Sequence, residues 1–283
     1  MCERADAHAH FFDGGYQESF TGRPGVHVDE VACYRSLADD HGVGRVLAVT
    51  WEDAPWSVGN NEHVARLILQ FPWIEPTAFI AQMDQLTIAR LDQWRAQGFV
   101  GLSHYLKGDA RKEAISRVHD DVWSWLVDHR WLVSVNARPA YWSAWLPVMA
   151  RHSELCVLAS HMGFAPKVST APDDETARHG LADLLALAQF PGMHVKLSGF
   201  YTATEPRHNY PHRPVWPYVN ALLDDFGYSR LVWASDFPVC LDSVSFAQSL
   251  DVLRAMSFFN PLQLKQIEGG NLLALLDTVD RPR

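Results

Sequence analysis

The sequence lacks the features that would send a chain to a membrane or into an oxidising compartment. No apolar run approaches the ~20 residues of a membrane-spanning helix, and the opening Met-Cys-Glu-Arg-Ala-Asp carries no signal-peptide pattern. Its four cysteines are scattered and form no C-x-x-C pair. We therefore expect neither a disulfide framework nor a cysteine-based zinc site, and a cytoplasmic location suits the chain best.

An excess of positive charge is also lacking. The chain has 24 Lys and Arg against 33 Asp and Glu, a formal net charge of −9. Nucleic acids and anionic membranes are therefore poor partners, although a locally basic site could still bind an anionic small molecule. With 48% hydrophobic and 20% charged residues, the chain has an ordinary globular composition. We expect one domain over residues 1–283, with association into a homo-oligomer left open.

Short apolar runs alternate with longer helical patterns along the whole chain. Eight runs rich in Val, Ile and Leu predict parallel strands at residues 4–10, 45–50, 74–80, 99–105, 131–135, 155–159, 193–197 and 231–234. Helical periodicity with caps and stops is found at residues 31–40, 60–71, 84–97, 111–129, 141–152, 176–190, 214–226 and 243–257. Eight β/α units in this length predict an α/β fold, the (β/α)8 TIM barrel. Residues 261–279 predict one or two extra C-terminal helices.

Polar side chains follow the predicted strands at the barrel end where such folds carry their function. His8 and His10 share one face of strand one, because alternate strand residues point the same way. Two imidazoles on one face can share a metal ion or a substrate oxygen. Other polar or aromatic residues end later strands, namely Trp51, His104, Asn136, Arg138, His161 and Asp236.

Four motifs in this order resemble the amidohydrolase superfamily, and its amidohydrolase-2 branch in particular. They are D-x-H-x-H at residues 6–10, H-M-G at 161–163, V-K-L-S-G at 195–199 and W-A-S-D-F-P at 233–238. The closing Glu-Gly-Gly-Asn at 268–271 also resembles that branch. The resemblance implies hydrolysis or, less often, decarboxylation. It maps the metal ligands onto His8, His10, His161 and Asp236, with His161 and Asp236 catalytic and Asp236 the base that activates water.

Two departures from the family pattern bear on the metal. Many metal-dependent members carry a His at the end of strand five, where this chain has Asn136. Many two-metal members carry a bridging Lys or Glu at the end of strand four, where Ser103-His104-Tyr105 stands. We therefore expect at most one divalent ion, zinc or manganese. A metal-free site is equally compatible, as in some lactonases of this branch, with the imidazoles stabilising an oxyanion.

These residues leave three hypotheses for the function. The leading one is a hydrolase that opens a lactone or related cyclic ester by water attack. The guanidinium of Arg138 favours an anionic, carboxylated substrate. We predict that Asn136, His104 and Trp51 help to bind it. The alternatives are a metal-dependent decarboxylase of the aminocarboxymuconate type and a non-catalytic barrel that binds a small molecule. Lys196 is expected to face the packed side of strand seven or the helix layer, without a role.

Overall fold

Eight parallel strands pair in chain order and alternate with helices, which confirms the predicted TIM barrel. The computed structural model describes residues 4–18 and 29–282, so Cys2 lies outside the described residues. The strands are β1 (Arg4–Ala9), β2 (Val43–Val49), β3 (Ile74–Phe79), β4 (Gly101–Leu106), β5 (Leu132–Ala137), β6 (Val157–Ala159), β7 (Met193–Leu197) and β8 (Leu231–Trp233). Each lies within two residues of its predicted position.

The seam between β1 and β8 closes at the barrel mouth through backbone contacts beyond the strands. Ala9 and Phe237 form an isolated parallel bridge. The His10 amide donates to the Phe237 carbonyl at 2.7 Å, and the Asp236 amide donates to the His8 carbonyl at 2.9 Å. These bonds place the end of β1 beside the segment that follows β8.

A buried carboxylate completes this seam from within. Asp6 accepts hydrogen bonds from the backbone amide of Ser235 at 2.9 Å, from the Ser235 hydroxyl, and from the Tyr34 hydroxyl at 3.0 Å. Buried polar groups are costly unless satisfied, so this network favours one register of β1 against β8. The first residue of the D-x-H-x-H motif therefore has a structural role.

Helices surround the strands. Longer α-helices lie at Glu30–His41, Asn60–Leu67, Ile88–Ala96, Asp109–Arg117, Asp120–Asp128, Trp216–Phe226 and Phe246–Arg254. Shorter ones lie at Leu146–Arg151, Asp174–Gly180 and Ala182–Leu185, with His161–Phe164 and Phe200–Ala203 close to the mouth. No helix in the described part of the chain is long and apolar enough to cross a membrane.

Several predicted helix bounds were wrong for local reasons. The predicted helix at 111–129 is two helices, because Val118 is extended and the His119 side chain caps the second one. The predicted helix at 176–190 is broken after Gly180 and ends as a 3-10 segment. The helix predicted to start at Asp84 starts at Ile88, capped by Thr87. At His119 and Thr87, side-chain caps inside a periodic run override its periodicity.

The predicted extra C-terminal helices are present. Pro261–Lys265 and Asn271–Thr278 are α-helical, joined by the π-helical segment Gln266–Gly270. The Asn271 side-chain amide donates to the carbonyls of Tyr228 and Leu231 at 2.7 and 2.8 Å. This contact ties the last helix to the start of β8.

Candidate functional site

Three imidazoles converge on one carboxylate oxygen at the barrel mouth. Asp236 Oδ1 lies 3.7 Å from His8 Nε2, 3.8 Å from His10 Nε2 and 3.9 Å from His161 Nε2. All four side chains are buried, with the carboxylate residue only 3% exposed. The structure therefore brings together residues from β1, from the turn after β6 and from the segment after β8.

Unusual backbone geometry presents two of these side chains. His161, Met162, Gly163 and Phe164 have φ of +54°, +54°, +65° and +57°, so this turn is left-handed. Asp236 also has a positive φ, +62°. A left-handed conformation costs a residue with a Cβ roughly 1–2 kcal/mol. Strain of this kind persists where surrounding structure enforces it, and it is concentrated at functional sites.

The ring nitrogens of the three imidazoles also have other partners. His10 Nδ1 lies 2.6 Å from the Val49 carbonyl, and His161 Nδ1 lies 2.9 Å from the Ser198 hydroxyl. His8 Nε2 lies 3.0 Å from His10 Nε2, an interaction that needs one hydrogen between two ring nitrogens. These contacts fix the ring orientations, and each constrains which nitrogen carries the hydrogen.

Lys196 lies beneath the imidazoles in the packed interior of the barrel, and not in the helix layer, the other position expected for it. Its side chain is fully buried and donates to the Ser134 hydroxyl at 2.6 Å. Its Nζ also lies 3.3 Å from His8 Nδ1. In β7 the polar His194 and Lys196 share one face and the apolar residues share the other, but both faces are buried. The alternation therefore does not reveal which face points into the barrel; the signal available was a lysine in a strand buried on both sides.

Burial governs the protonation of the cluster. It lowers the pKa of His8 well below its usual range, that of His10 to about 4 and that of His161 to about 3. It raises the pKa of Asp236 from 3.8 to about 6 and lowers that of Lys196 to about 7. Near neutral pH, the imidazoles are therefore neutral hydrogen-bonding groups, and Asp236 is a carboxylate poised to accept a proton.

Tyr201 orients the Asp236 carboxylate. Its buried hydroxyl donates to Asp236 Oδ2, which leaves Oδ1 facing the three imidazoles. The Arg207 guanidinium lies 5.5 Å above the centre of the Tyr201 ring. Sequence reasoning missed Tyr201, since its position depends on the short helix Phe200–Ala203 after β7, which no periodic pattern announces.

A cavity of about 570 Å³ opens above the cluster. Its size suits one small molecule. Aromatic side chains form one part of its wall, namely Phe12, Tyr16, Trp51, Tyr105, Tyr141, Phe164 and Tyr201. Polar side chains also line it, among them Lys107, Asn136, Arg138 and Thr202. Of the side chains predicted to bind substrate, the structure places Trp51, Asn136 and Arg138 at this cavity.

His104 is not among the residues that line the cavity. Its ring is buried, with Nδ1 2.9 Å from the Ile80 carbonyl. Tyr105, its neighbour on β4, lines the cavity instead. Successive strand residues face opposite sides of the sheet. Tyr105 therefore faces the cavity, and His104, one residue earlier, faces the other, buried side.

Two cations lie at the cavity rim in different settings. Arg138 is exposed, and within the described residues it forms no ion pair. Lys107 has its Nζ 4.8 Å from the centre of the Trp51 ring and 3.5 Å from Asp53. Arg111 holds the same Asp53 at 2.7 Å, so one carboxylate is shared by two cations. Glu18 and Asp236 line the same cavity, so its wall carries charges of both signs.

The cluster has a donor set that fits one divalent ion. Ligand atoms of His8, His161 and Asp236 lie within 4.8 Å of one another, which makes them a candidate metal group in the described part of the chain. Imidazole nitrogen and carboxylate oxygen are ordinary ligands of zinc. The Nδ1 of His10 faces a carbonyl, the usual outer partner of a metal-binding imidazole.

The comparisons with known proteins agree with this geometry. A sequence model described as amidohydrolase matches residues 5–276. The L-fucono-1,5-lactonase of Burkholderia ambifaria is 27% identical over 252 residues, which cover 84% of this chain and 81% of the relative.

Solved structures show the same fold. An amidohydrolase from Burkholderia multivorans, with bound zinc, has a TM-score of 0.80 at 21% identity, covering 97% of this chain and 99% of its own. A probable 2-pyrone-4,6-dicarboxylic acid hydrolase from Acinetobacter baumannii, with bound citric acid, has a TM-score of 0.72 at 19% identity, with coverage of 97% and 99%.

Proposed function

Since this chain belongs to the amidohydrolase family and is a hydrolase, we propose that it is a lactonase that opens a small sugar-type or carboxylated lactone. The observation that carries the proposal is the single carboxylate oxygen, Asp236 Oδ1, faced by three imidazole Nε2 atoms at 3.7–3.9 Å. The L-fucono-1,5-lactonase named among the relatives supports this reaction class.

Asp236 is the proposed general base. Water adds its oxygen to the lactone carbonyl carbon while Asp236 Oδ1 takes the water proton. The carbonyl oxygen becomes an oxyanion in the tetrahedral intermediate. The ring C–O bond then breaks, the leaving oxygen receives the proton from Asp236, and a hydroxy acid is released. Tyr201 holds Oδ2 throughout, so the same oxygen handles the proton in both steps.

The imidazoles are the proposed stabilisers of the oxyanion. They are neutral and buried, so any N–H that they present acts where water does not screen it. One divalent ion held by His8, His161 and Asp236, with His10 alongside, would polarise the carbonyl and lower the pKa of water.

Arg138 and Lys107 support the finer proposal that the substrate is anionic. Both line the cavity, and the Arg138 guanidinium is free of carboxylate partners among the described residues. A planar guanidinium binds a carboxylate through two parallel hydrogen bonds. The aromatic wall, with Trp51 and Tyr105 in it, supplies flat apolar surface for one face of the ring.

The two alternatives are less well supported. The aminocarboxymuconate-type decarboxylase uses an imidazole after strand five, where Asn136 lines the cavity of this chain. A purely binding barrel would not need a carboxylate with a pKa raised to about 6 beneath three neutral imidazoles.

A panel of lactones tests the proposal. L-fucono-1,5-lactone, other aldonolactones and 2-pyrone-4,6-dicarboxylate would be incubated with chelator-treated and zinc- or manganese-loaded protein, with acid release followed by a pH indicator. We expect one of them to be opened at least ~10⁶-fold faster than without enzyme, and Asp236→Asn to remove most of that rate. Failure of every lactone in every metal state would reject the proposal.

A further inference from the structure

The inference starts at a backbone carbonyl that can only accept hydrogen bonds. Val49 O lies 2.6 Å from His10 Nδ1, so His10 carries its hydrogen on Nδ1 and donates it to Val49. With its one hydrogen on Nδ1, the neutral form of this buried ring has a bare lone pair on Nε2. That lone pair points towards the other imidazole of the strand.

The next ring follows from this one. His8 Nε2 lies 3.0 Å from His10 Nε2, and in the metal-free site two lone pairs at this distance would repel each other. The hydrogen between them must therefore sit on His8 Nε2. A neutral imidazole carries one hydrogen, so His8 Nδ1 must be an acceptor.

The donor to that nitrogen is the buried lysine. Lys196 Nζ lies 3.3 Å from His8 Nδ1, while its other partner, Ser134, receives a hydrogen bond at 2.6 Å. The Ser160 hydroxyl is also near His8 Nδ1, at 3.4 Å. We propose that Lys196 is a positioning residue that fixes the tautomer of His8, through an ordered chain Lys196 to His8 to His10 to Val49, and thereby weakens zinc binding at this site.

The consequence for the site is a division of labour between the two imidazoles of β1. His8 presents a hydrogen, suited to an oxyanion, whereas His10 presents a lone pair. A zinc ligand needs a bare nitrogen, and its other nitrogen usually donates to an acceptor. Lys196 places a donor at His8 Nδ1, where a zinc-binding histidine needs an acceptor. His8 can therefore bind an ion through Nε2 only if the hydrogen leaves that nitrogen. This holds whether or not the substrate is a lactone.

Imidazole NMR tests the tautomer directly in the whole chain. In chelator-treated, ¹⁵N-histidine-labelled protein, two-bond ¹⁵N–¹H correlations distinguish protonated from bare ring nitrogens, with His8 and His10 assigned by their Gln variants. We expect hydrogen on Nε2 of His8 and on Nδ1 of His10. Hydrogen on Nδ1 of His8 would overturn the proposal, and this experiment needs no variant at position 196.

Zinc affinity provides the second readout. Lys196→Met fills a similar volume and removes the donor, so His8 can move its hydrogen to Nδ1, towards Ser160. We expect zinc, measured by competition with a chromophoric chelator, to bind at least ~10-fold tighter, the usual scale for outer partners of metal ligands. Ser134→Ala, which keeps Lys196, is the matched control and should stay within about 2-fold of wild type. Equal or weaker zinc binding by folded Lys196→Met would contradict the proposal.

Discussion

Two buried carboxylates at opposite ends of the barrel have opposite electrostatic surroundings. Glu268 is 5% exposed and accepts from Arg4 at 2.7 Å and from Arg254 at 3.0 Å. Asp236 is 3% exposed and faces neutral imidazoles. The first group is held by permanent cations, whereas among the described residues no Lys or Arg lies within ion-pair distance of the second.

This difference indicates that the two ends of the barrel have different roles, one in stability and one in catalysis. Glu75 repeats the pattern of Glu268, since Arg45 and Arg281 hold it at 2.6 and 2.8 Å. A carboxylate between two arginines ties distant segments of the chain together. Burial without a cation raises the pKa of Asp236 to about 6, which costs stability but makes the group a usable base.

Asp236→Asn should have the largest effect of these variants, and the effect should be on catalysis at the functional end of the barrel. It keeps the size of the side chain and removes the base, so kcat on the accepted lactone should fall at least ~10²-fold. Steady-state kinetics on purified protein would measure it. Activity within a few-fold of wild type would exclude Asp236 from the mechanism.

The same variant has a second expected result, in stability. The folded-state pKa of Asp236 is raised above 3.8 to about 6, so its ionisation costs stability as the pH rises through this range. At pH 7 the full cost is present, and Asp236→Asn should melt at or above the wild-type temperature. A clear fall in Tm would show that the carboxylate stabilises the fold.

Glu268→Gln changes the carboxylate at the other end of the barrel, where the effect should be on stability. It leaves Arg4 and Arg254 without their shared carboxylate, and it should lower the free energy of unfolding by about 2 kcal/mol, since both arginines are partly exposed and water screens the pairs. Urea unfolding would measure this. kcat should stay within about 2-fold of wild type, and a much larger loss would mean that the two ends are coupled.

Tyr201→Phe tests whether the Tyr201 hydroxyl orients the Asp236 carboxylate. Without the hydroxyl, Asp236 Oδ2 loses its donor and the carboxylate can rotate away from the imidazoles. We expect kcat to fall about 10-fold with KM nearly unchanged, because the bond orients the base rather than the substrate. A rise in KM at constant kcat would instead make Tyr201 a binding residue.

Arg138→Lys should have the smallest effect, and it tests the nature of the substrate. The change keeps the charge and loses the planar pair of donors, so KM for a carboxylated lactone should rise about 5-fold. KM for a neutral lactone should change less than about 2-fold. Equal effects on both would remove Arg138 as an anion-binding residue.

The barrel itself was predictable, because its evidence is local and repeated. Eight apolar runs separated by helical periods specify the strand order, and the order brings His8, His10, His161 and Asp236 to one end. Each of these residues lies at or shortly after the carboxyl end of a strand, so errors of one or two residues in strand bounds did not move them to the other end.

The rest depends on register and on irregular turns. In strands buried on both faces, a polar residue on one face does not show which face points into the barrel, so the sequence did not reveal that Lys196 points inward and His104 away from the cavity. The left-handed turn at His161–Phe164 and the contact between Tyr201 and Asp236 arise from tertiary packing.

Hydrolysis in ¹⁸O-water tests the central claim most directly, that water activated by Asp236 attacks the lactone carbonyl. Wild-type protein would open the lactone that it accepts from the panel under single-turnover conditions, with Asp236→Asn and an enzyme-free reaction as controls. The account predicts one ¹⁸O atom in the new carboxylate, formed at a rate that Asp236→Asn reduces at least ~10²-fold. Label in the released hydroxyl group, or an undiminished rate in Asp236→Asn, would contradict it.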